Sequence, residues 1–196
     1  MNKAKAALVL TALLATTLFP SHANARDLAI WDQIKGTNPK GYVLLMRHAL
    51  APGIGDPENF NVNDCSTQRN LNDEGRTDAR EIGSWLKRRD VKIFRVESSR
   101  WCRAKETAEL LDIGKVRPNK NFDSLFRDPD PANNPQTAAI KKRIFNHRNT
   151  RGLLVMVGHS VNIQTLTSTS LESGEGVLVR ATPQGDLKIL GYSPAP

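Results

Sequence analysis

Val43-Leu44-Leu45-Met46-Arg47-His48-Ala49 is the stretch on which the fold turns. Four apolar residues in unbroken succession, opened by Gly41 and Tyr42, read as a strand buried on both faces rather than one with a wet side. The run ends in an Arg-His pair, and Pro52, Gly53 and Gly55 follow, so the pair stands where strand gives way to loop. In open α/β sheets that carboxyl end is where ligands bind. The pattern returns late in the chain: Leu153-Leu154-Val155-Met156-Val157 is a second apolar run, ending in Gly158-His159-Ser160. Two buried strands, each delivering a histidine at its end, are the frame for everything between them.

The chain has 196 residues, 39% of them hydrophobic and 24% charged, which fits one ordinary globular domain with a full core. At the amino end, Lys3 and Lys5 precede a small and apolar run from Ala6 to Phe19, broken by Pro20. Ala23-Asn24-Ala25 then supplies a small-x-small cleavage pattern, so residues 1–25 read as a secretory signal peptide and 26–196 as the mature domain. The run is too short and too rich in Ala and Thr to serve as a membrane anchor. Export to a bacterial periplasm is the expected destination. Loss of the leader with its two lysines lowers the formal charge from +8 to about +6. That excess fits either a solvated basic surface or attraction to anions, and charge alone does not choose.

Export colours the two cysteines. In an oxidising compartment Cys65 and Cys102 are expected to pair, with two unpaired thiols as the alternative. No Cys/His cluster with metal-ligand spacing is present.

Between the two histidine strands the elements alternate. Leu28 to Ile34 is a short helical lead-in, and residues 49–66 form a long loop of the kind that is often functional. It leads into the polar set Asp64-Cys65-Ser66-Thr67-Gln68-Arg69, in which Arg69 is a candidate substrate contact. Asn72 caps a helix with Asp73 and Glu74 in its first turn and a Lys87-Arg88-Arg89 finish, both as the helix dipole prefers. Val91 to Val96 is a strand ending in Glu97-Ser98-Ser99, and a helix follows from Arg100 to Leu111. That junction would offer backbone N–H groups to an anion, with Arg100, Arg103 and Lys105 in the first turns. Residues 112–135, with four prolines, read as an irregular cover with a strand near Val116. Gln136–Arg148 and Val161–Thr169 read as helices, and Gly176–Ala181 with Asp186–Leu190 as a closing hairpin. The sum is an α/β three-layer sandwich, a mostly parallel central sheet flanked by helices.

Chemically, Arg47 and Arg103 supply forked donors suited to phosphate oxygens. One imidazole is able to act as nucleophile, held neutral by the cations around it. The second, if protonated, would stabilise charge on a transferring phosphoryl group. These residues carry a resemblance. Leu45-Met46-Arg47-His48-Ala49 is similar to the Arg-His-Gly signature of the histidine phosphatase (phosphoglycerate mutase-like) superfamily. Asn70 to Ala79 resembles its Leu-Thr-x-x-Gly-x-x-Gln-Ala helix opening, Ser98 to Ala108 its Ser-x-x-x-Arg-Ala-x-x-Thr-Ala segment, and Val157 to Ile163 its second histidine motif. The resemblance implies that His48 becomes phosphorylated and is then hydrolysed, with Arg47, Arg103 and His159 holding the phosphoryl group and no metal or cofactor required. Arg100 falls outside the matching arginine position and is at most a secondary substrate contact. Ala49 departs from the usual glycine. The family's proton donor has no clear counterpart: the position after the second histidine is Ser160, taken as a substrate contact instead. Asp123 is favoured over Asp128 and Asp130, with Glu175 a further candidate.

Two other readings compete. A serine hydrolase centred on Ser160 fails because Asn162 stands where its elbow needs Gly, and no histidine follows Ser160 in the chain. A non-catalytic binder of anionic envelope components is favoured by the missing acid and opposed by the intact His48. The expected partner is a phosphorylated small molecule or envelope glycolipid, not nucleic acid; a phosphohistidine protein is a further option by resemblance.

Overall fold

The computed structural model describes residues 25–193, and the expected leader lies outside them except for Ala25. Helix α1 (Ala25–Ile34) is followed by β1 (Tyr42–Arg47), and a long loop then leads to α2 (Asp73–Arg88). Next come β2 (Ile93–Ser98), α3 (Cys102–Leu110) and the short β3 (Val116–Pro118). The chain continues through α4 (Pro135–His147), β4 (Leu153–Gly158) and α5 (Ser160–Thr167), and closes with β5 (Gly176–Ala181) and β6 (Leu187–Ser193).

The strands make one sheet in the order β3-β2-β4-β1-β5-β6. The first four are mutually parallel, and β5 runs antiparallel to β1 and β6. This is the mostly parallel sandwich expected, with the two histidine strands side by side at its centre. β1 shows why an unbroken apolar run was needed. Leu44 and Met46 face a core shared with Trp31, Ile82, Leu86 and Leu111, from α1, α2 and the end of α3. Val43 and Leu45 face the opposite core, against Phe122 and against Ile140, Ile144 and Ile163 of α4 and α5. All four residues are fully buried, each worth about 1.5–3 kcal/mol in removed apolar surface.

Helix termini follow the sequence signals. Asn72 Oδ1 accepts from the Gly75 N–H, and Asn134 caps α4 with Pro135 at its first position. Gly75 is required by packing: a Cβ there would overlap the Leu50 carbonyl. At the far edge α1 packs on β6, and the indole N–H of Trp31 donates to Tyr192 O (2.8 Å) across 161 residues of sequence.

Two of the boundary shifts bear on the site. β2 runs two residues beyond the expected end, because Glu97 and Ser98 continue the parallel ladder with Met156 and Val157 of β4. Helix α3 starts at Cys102, after an extended Trp101, so Arg100 lies in the preceding turn rather than in the helix.

Candidate active site

Register sets the site. Arg47 pairs with Gly158, and Ser98 with Val157, so the carboxyl ends of β1, β4 and β2 finish level. The chain is held there by His48 N–H to Gly158 O (3.0 Å), Arg47 N–H to Glu175 O (2.9 Å) and Ser99 N–H to Val157 O (2.9 Å). A pocket of about 330 Å³ opens at this end. Its lining includes Arg47, His48, Asp56, Arg69, Arg103 and His159, with Ser160 at its side. Three guanidinium groups against one carboxylate make it a site for an anion.

His48 is oriented for attack. Its Nδ1 lies 2.8 Å from Ala49 O, an atom that only accepts, so Nδ1 carries the proton and Nε2 the lone pair. Arg103 Nε donates to that Nε2 at 3.2 Å. Burial, reinforced by the charges of Arg103, Arg47 and Arg69, pushes the His48 imidazole down to about 3. The sequence assigned neutrality to the cations alone; desolvation is the larger cause. His159 is also pushed well below its ordinary range by burial first, then by His48 and the same arginines. Burial thus favours the neutral form of His159, whereas a stabilising role for it was expected only if it is protonated. Its Nε2 lies 2.8 Å from Ser99 Oγ, closer than Asp123 Oδ1 is to that hydroxyl (3.4 Å). That hydroxyl donates to the Asp123 carboxylate, which only accepts, so it takes its other hydrogen bond from His159 Nε2–H. The two rings meet edge to face, 5.6 Å between centroids.

Arg103 is the most constrained of the cations. Asp56 grips it with Oδ1 to Nη1 at 2.6 Å and Oδ2 to Nη2 at 3.2 Å, and Nη1 also reaches Arg69 O (3.3 Å). The two side chains are 4% and 13% exposed, so this fork is a buried one. Asp56 further accepts from Trp101 Nε1 (3.0 Å) and the Arg69 N–H (3.1 Å). Burial raises the Asp56 carboxyl, and the hydrogen bonds and charge of Arg103, with those of Trp101 and Arg69, more than reverse it. Thr107 Oγ1 donates to Arg103 O and accepts from the Ala49 N–H (3.0 Å), tying α3 to the end of β1. Ala49 itself is fully buried among Ala51, Leu71 and Ala79, which explains how a methyl is accommodated at the usual glycine position.

Cys65 and Cys102 form a disulfide that pins the long loop to the first residue of α3, beside Arg103. Arg69 enters the pocket from the same loop, with Nε donating to Gly55 O (2.9 Å) and Nη1 to Ala51 O. Arg47 Nη1 donates to Leu171 O (2.9 Å).

Other expected residues are placed elsewhere. Asp123 does not line the pocket: its carboxylate accepts from the Arg100 N–H (2.9 Å), Nε (2.7 Å) and Nη2 (2.5 Å). Arg100, a candidate substrate contact, is thereby committed to Asp123 and also stands outside the lining. Glu175 turns its carboxylate onto the Glu172 N–H (2.7 Å) and, with its backbone oxygen, supports the end of β1. The amide nest expected before α3 is filled from within: Asp123 takes the Arg100 N–H, Ser99 Oγ the Trp101 N–H, and Gln68 Oε1 the Cys102 N–H. Sequence reasoning missed Asp56, and it gave Gln68 and Thr107, though within quoted segments, no part in holding α3. A lone Asp in the turn Gly53-Ile54-Gly55-Asp56-Pro57, facing a basic site, was the available signal.

No family model matches the sequence, and no curated protein matches it. Solved structures do. The protein histidine phosphatase SixA, complexed with tungstate, superposes with a TM-score of 0.57 at 18% identity, covering 78% of this chain and 96% of that one. A putative phosphohistidine phosphatase SixA from Agrobacterium tumefaciens gives 0.55 at 15% identity, covering 79% and 97%. A phosphoserine phosphatase mutant from Entamoeba histolytica, in complex with phosphoserine, gives 0.58 at 12% identity, covering 77% and 95%. With its six-stranded sheet and histidines at adjacent strand ends, the chain has the histidine phosphatase (phosphoglycerate mutase-like) fold.

Proposed function

We propose that the protein is a phosphatase that hydrolyses a phosphomonoester through a phosphohistidine at His48. The observation that carries this reading is a neutral, buried imidazole whose Nε2 lone pair meets Arg103 Nε in a pocket lined by three arginines. Nε2 attacks phosphorus, the ester P–O bond breaks, and the alcohol oxygen leaves with the electron pair and takes up a proton. Water then cleaves the P–N bond, releasing phosphate and restoring the imidazole. Arg47, Arg69 and Arg103 neutralise the phosphoryl oxygens, with His159 beside them in the lining. The three structural neighbours described above carry phosphatase names, which agrees with this chemistry.

The substrate we infer is a phosphate of the cell envelope or periplasm. A disulfide in a chain with a signal-like amino end supports export, and no described helix is long and apolar enough to cross a membrane. The second reading, a binder that grips a phosphate without turnover, draws on one observation: the only carboxylate in the lining is committed to Arg103.

The test is p-nitrophenyl phosphate hydrolysis by the mature protein with EDTA present, beside His48→Ala. Turnover in the first, abolished in the second with its circular dichroism intact, is expected. Activity surviving His48→Ala refutes the mechanism, and phosphate binding without turnover in either protein establishes the binder.

A further inference from the structure

Apolar side chains are not expected at the rim of a pocket that recognises only a charged headgroup. Among the described residues three large apolar side chains are exposed: Ile54 (89%), Phe126 (54%) and Phe94 (40%). Phe94 is covered by cations, with Arg95 and Arg143 over its ring at 5.1 and 5.9 Å. Ile54 and Phe126 both line the phosphate pocket. Isolated exposed apolar residues mean little, but a pair converging on one pocket marks a ligand surface.

Beside the pocket lies a second hollow of about 210 Å³, lined by Asp56, Phe60, Trp101, Ser124, Phe126 and Arg127. Asp56, Ser124 and Phe126 belong to both, so the hollow continues the wall of the phosphate site. Its rings are fixed. Phe60 stacks on Trp101 at 4.8 Å with 23° between planes, and Trp101 is held by its Nε1–H to Asp56 and by an edge contact to His159 at 5.6 Å. Arg127 Nη2 donates to Asp56 O (3.2 Å), anchoring the fourth side.

A second observation bears on the leaving group. The pocket's only carboxylate is spent on Arg103 and Trp101, so no lining carboxyl is free to protonate a departing alkoxide. A leaving group of low basicity needs no such acid: phenols have pKa about 10, well below aliphatic alcohols.

We propose that this hollow is a leaving-group subsite for an aromatic ring, and that the substrate class is the aryl phosphomonoesters. The proposal rests on the phosphatase reading above and narrows it. His48 Nε2 takes the phosphorus, the bond between phosphorus and the aryl oxygen breaks, and the phenolate departs with the electron pair against Phe126 and the Phe60–Trp101 pair, gaining a proton from solvent. Water completes the cycle as before.

Non-hydrolysable phosphonates separate this proposal from the reading beneath it. Dissociation constants of methylphosphonate and benzylphosphonate are measured by calorimetry on the mature protein and on the Phe60→Ala/Phe126→Ala double variant, which removes two of the hollow's rings. The benzyl compound is expected to bind about tenfold more tightly, the upper part of the range for an added aromatic contact, and the ratio to fall toward one in the variant. Equal binding of the two by the mature protein overturns the aryl subsite while leaving the phosphate site standing. Failure of both to bind overturns the two readings together. A preference that persists in the variant overturns the assignment to this hollow.

Discussion

Opening the Cys65–Cys102 bridge perturbs the site's scaffold without touching a pocket side chain. The cysteines are 37 positions apart, and the span between them contains all of α2. Constraining a loop of that length in the unfolded chain is worth about 4 kcal/mol in the loop-entropy treatment. For a domain of this size each kcal/mol moves the melting temperature by about 2–4 °C, so the Cys65→Ala/Cys102→Ala variant is expected to melt about 8–16 °C lower. Alanine suits both positions, since each sulfur is replaced without adding a polar group. Thermal unfolding followed by circular dichroism measures the loss. Urea titration gives a second readout, because a released chain exposes more surface and steepens the denaturant slope. In the folded variant Gln68 Oε1 still accepts the Cys102 N–H and Asp56 still grips Arg103, so phosphonate binding at low temperature is expected to survive. A melting shift below about 3 °C would refute the reasoning, since it would mean that the bridge does not restrict the unfolded ensemble.

Two further outcomes follow from the electrostatics. The ring protons of His48 and His159, followed by NMR in the unliganded protein, are expected not to titrate between pH 5 and 8. The sign for stability is set by the unfolded chain, which takes a proton on His48 near its ordinary 6.5 while the folded protein refuses it until about 3; stability therefore falls as pH drops through that window. A His48 midpoint near 6.5 would contradict the burial argument. Asp56→Asn leaves Arg103 buried beside an uncharged partner, with an expected cost of about 1–3 kcal/mol in stability and a lower kcat as Arg103 loses its aim. An unchanged kcat would show that Asp56 does not position Arg103.

Much of this was legible in the chain, for identifiable reasons. β1 and β4 are unbroken apolar runs because both their faces are covered, and that pattern has few other readings. His48, His159, Arg47 and Arg103 were found because strand ends and a helix start fix where their side chains go. Arg69 and Ser160 also reach the pocket. Asp123 and Arg100 show the limit. Their types suited catalysis, but a bidentate partnership between a turn and a loop 23 positions apart leaves no trace in periodicity. Asp56 was missed for a similar reason: its turn could be read, but its partners Arg103 and Trp101 lie more than 40 positions away. The approach to α3 misled because the N–H groups of Arg100, Trp101 and Cys102 looked available, whereas the side chains of Asp123, Ser99 and Gln68 had already filled them.

The bond between Trp31 and Tyr192 has a consequence for the order in which the molecule is made. A polypeptide emerges from the ribosome amino end first, so the largest ring of the first helix waits for nearly the whole chain before its acceptor and its cover arrive. The sheet is likewise incomplete until β5 and β6 add themselves beside β1. The contact joins α1 to β6, a long-range pairing of the kind that slows folding. The same latch makes the carboxyl end intolerant of trimming: removing β6 strips Trp31 of its hydrogen-bond partner and opens the core at the helix that started it.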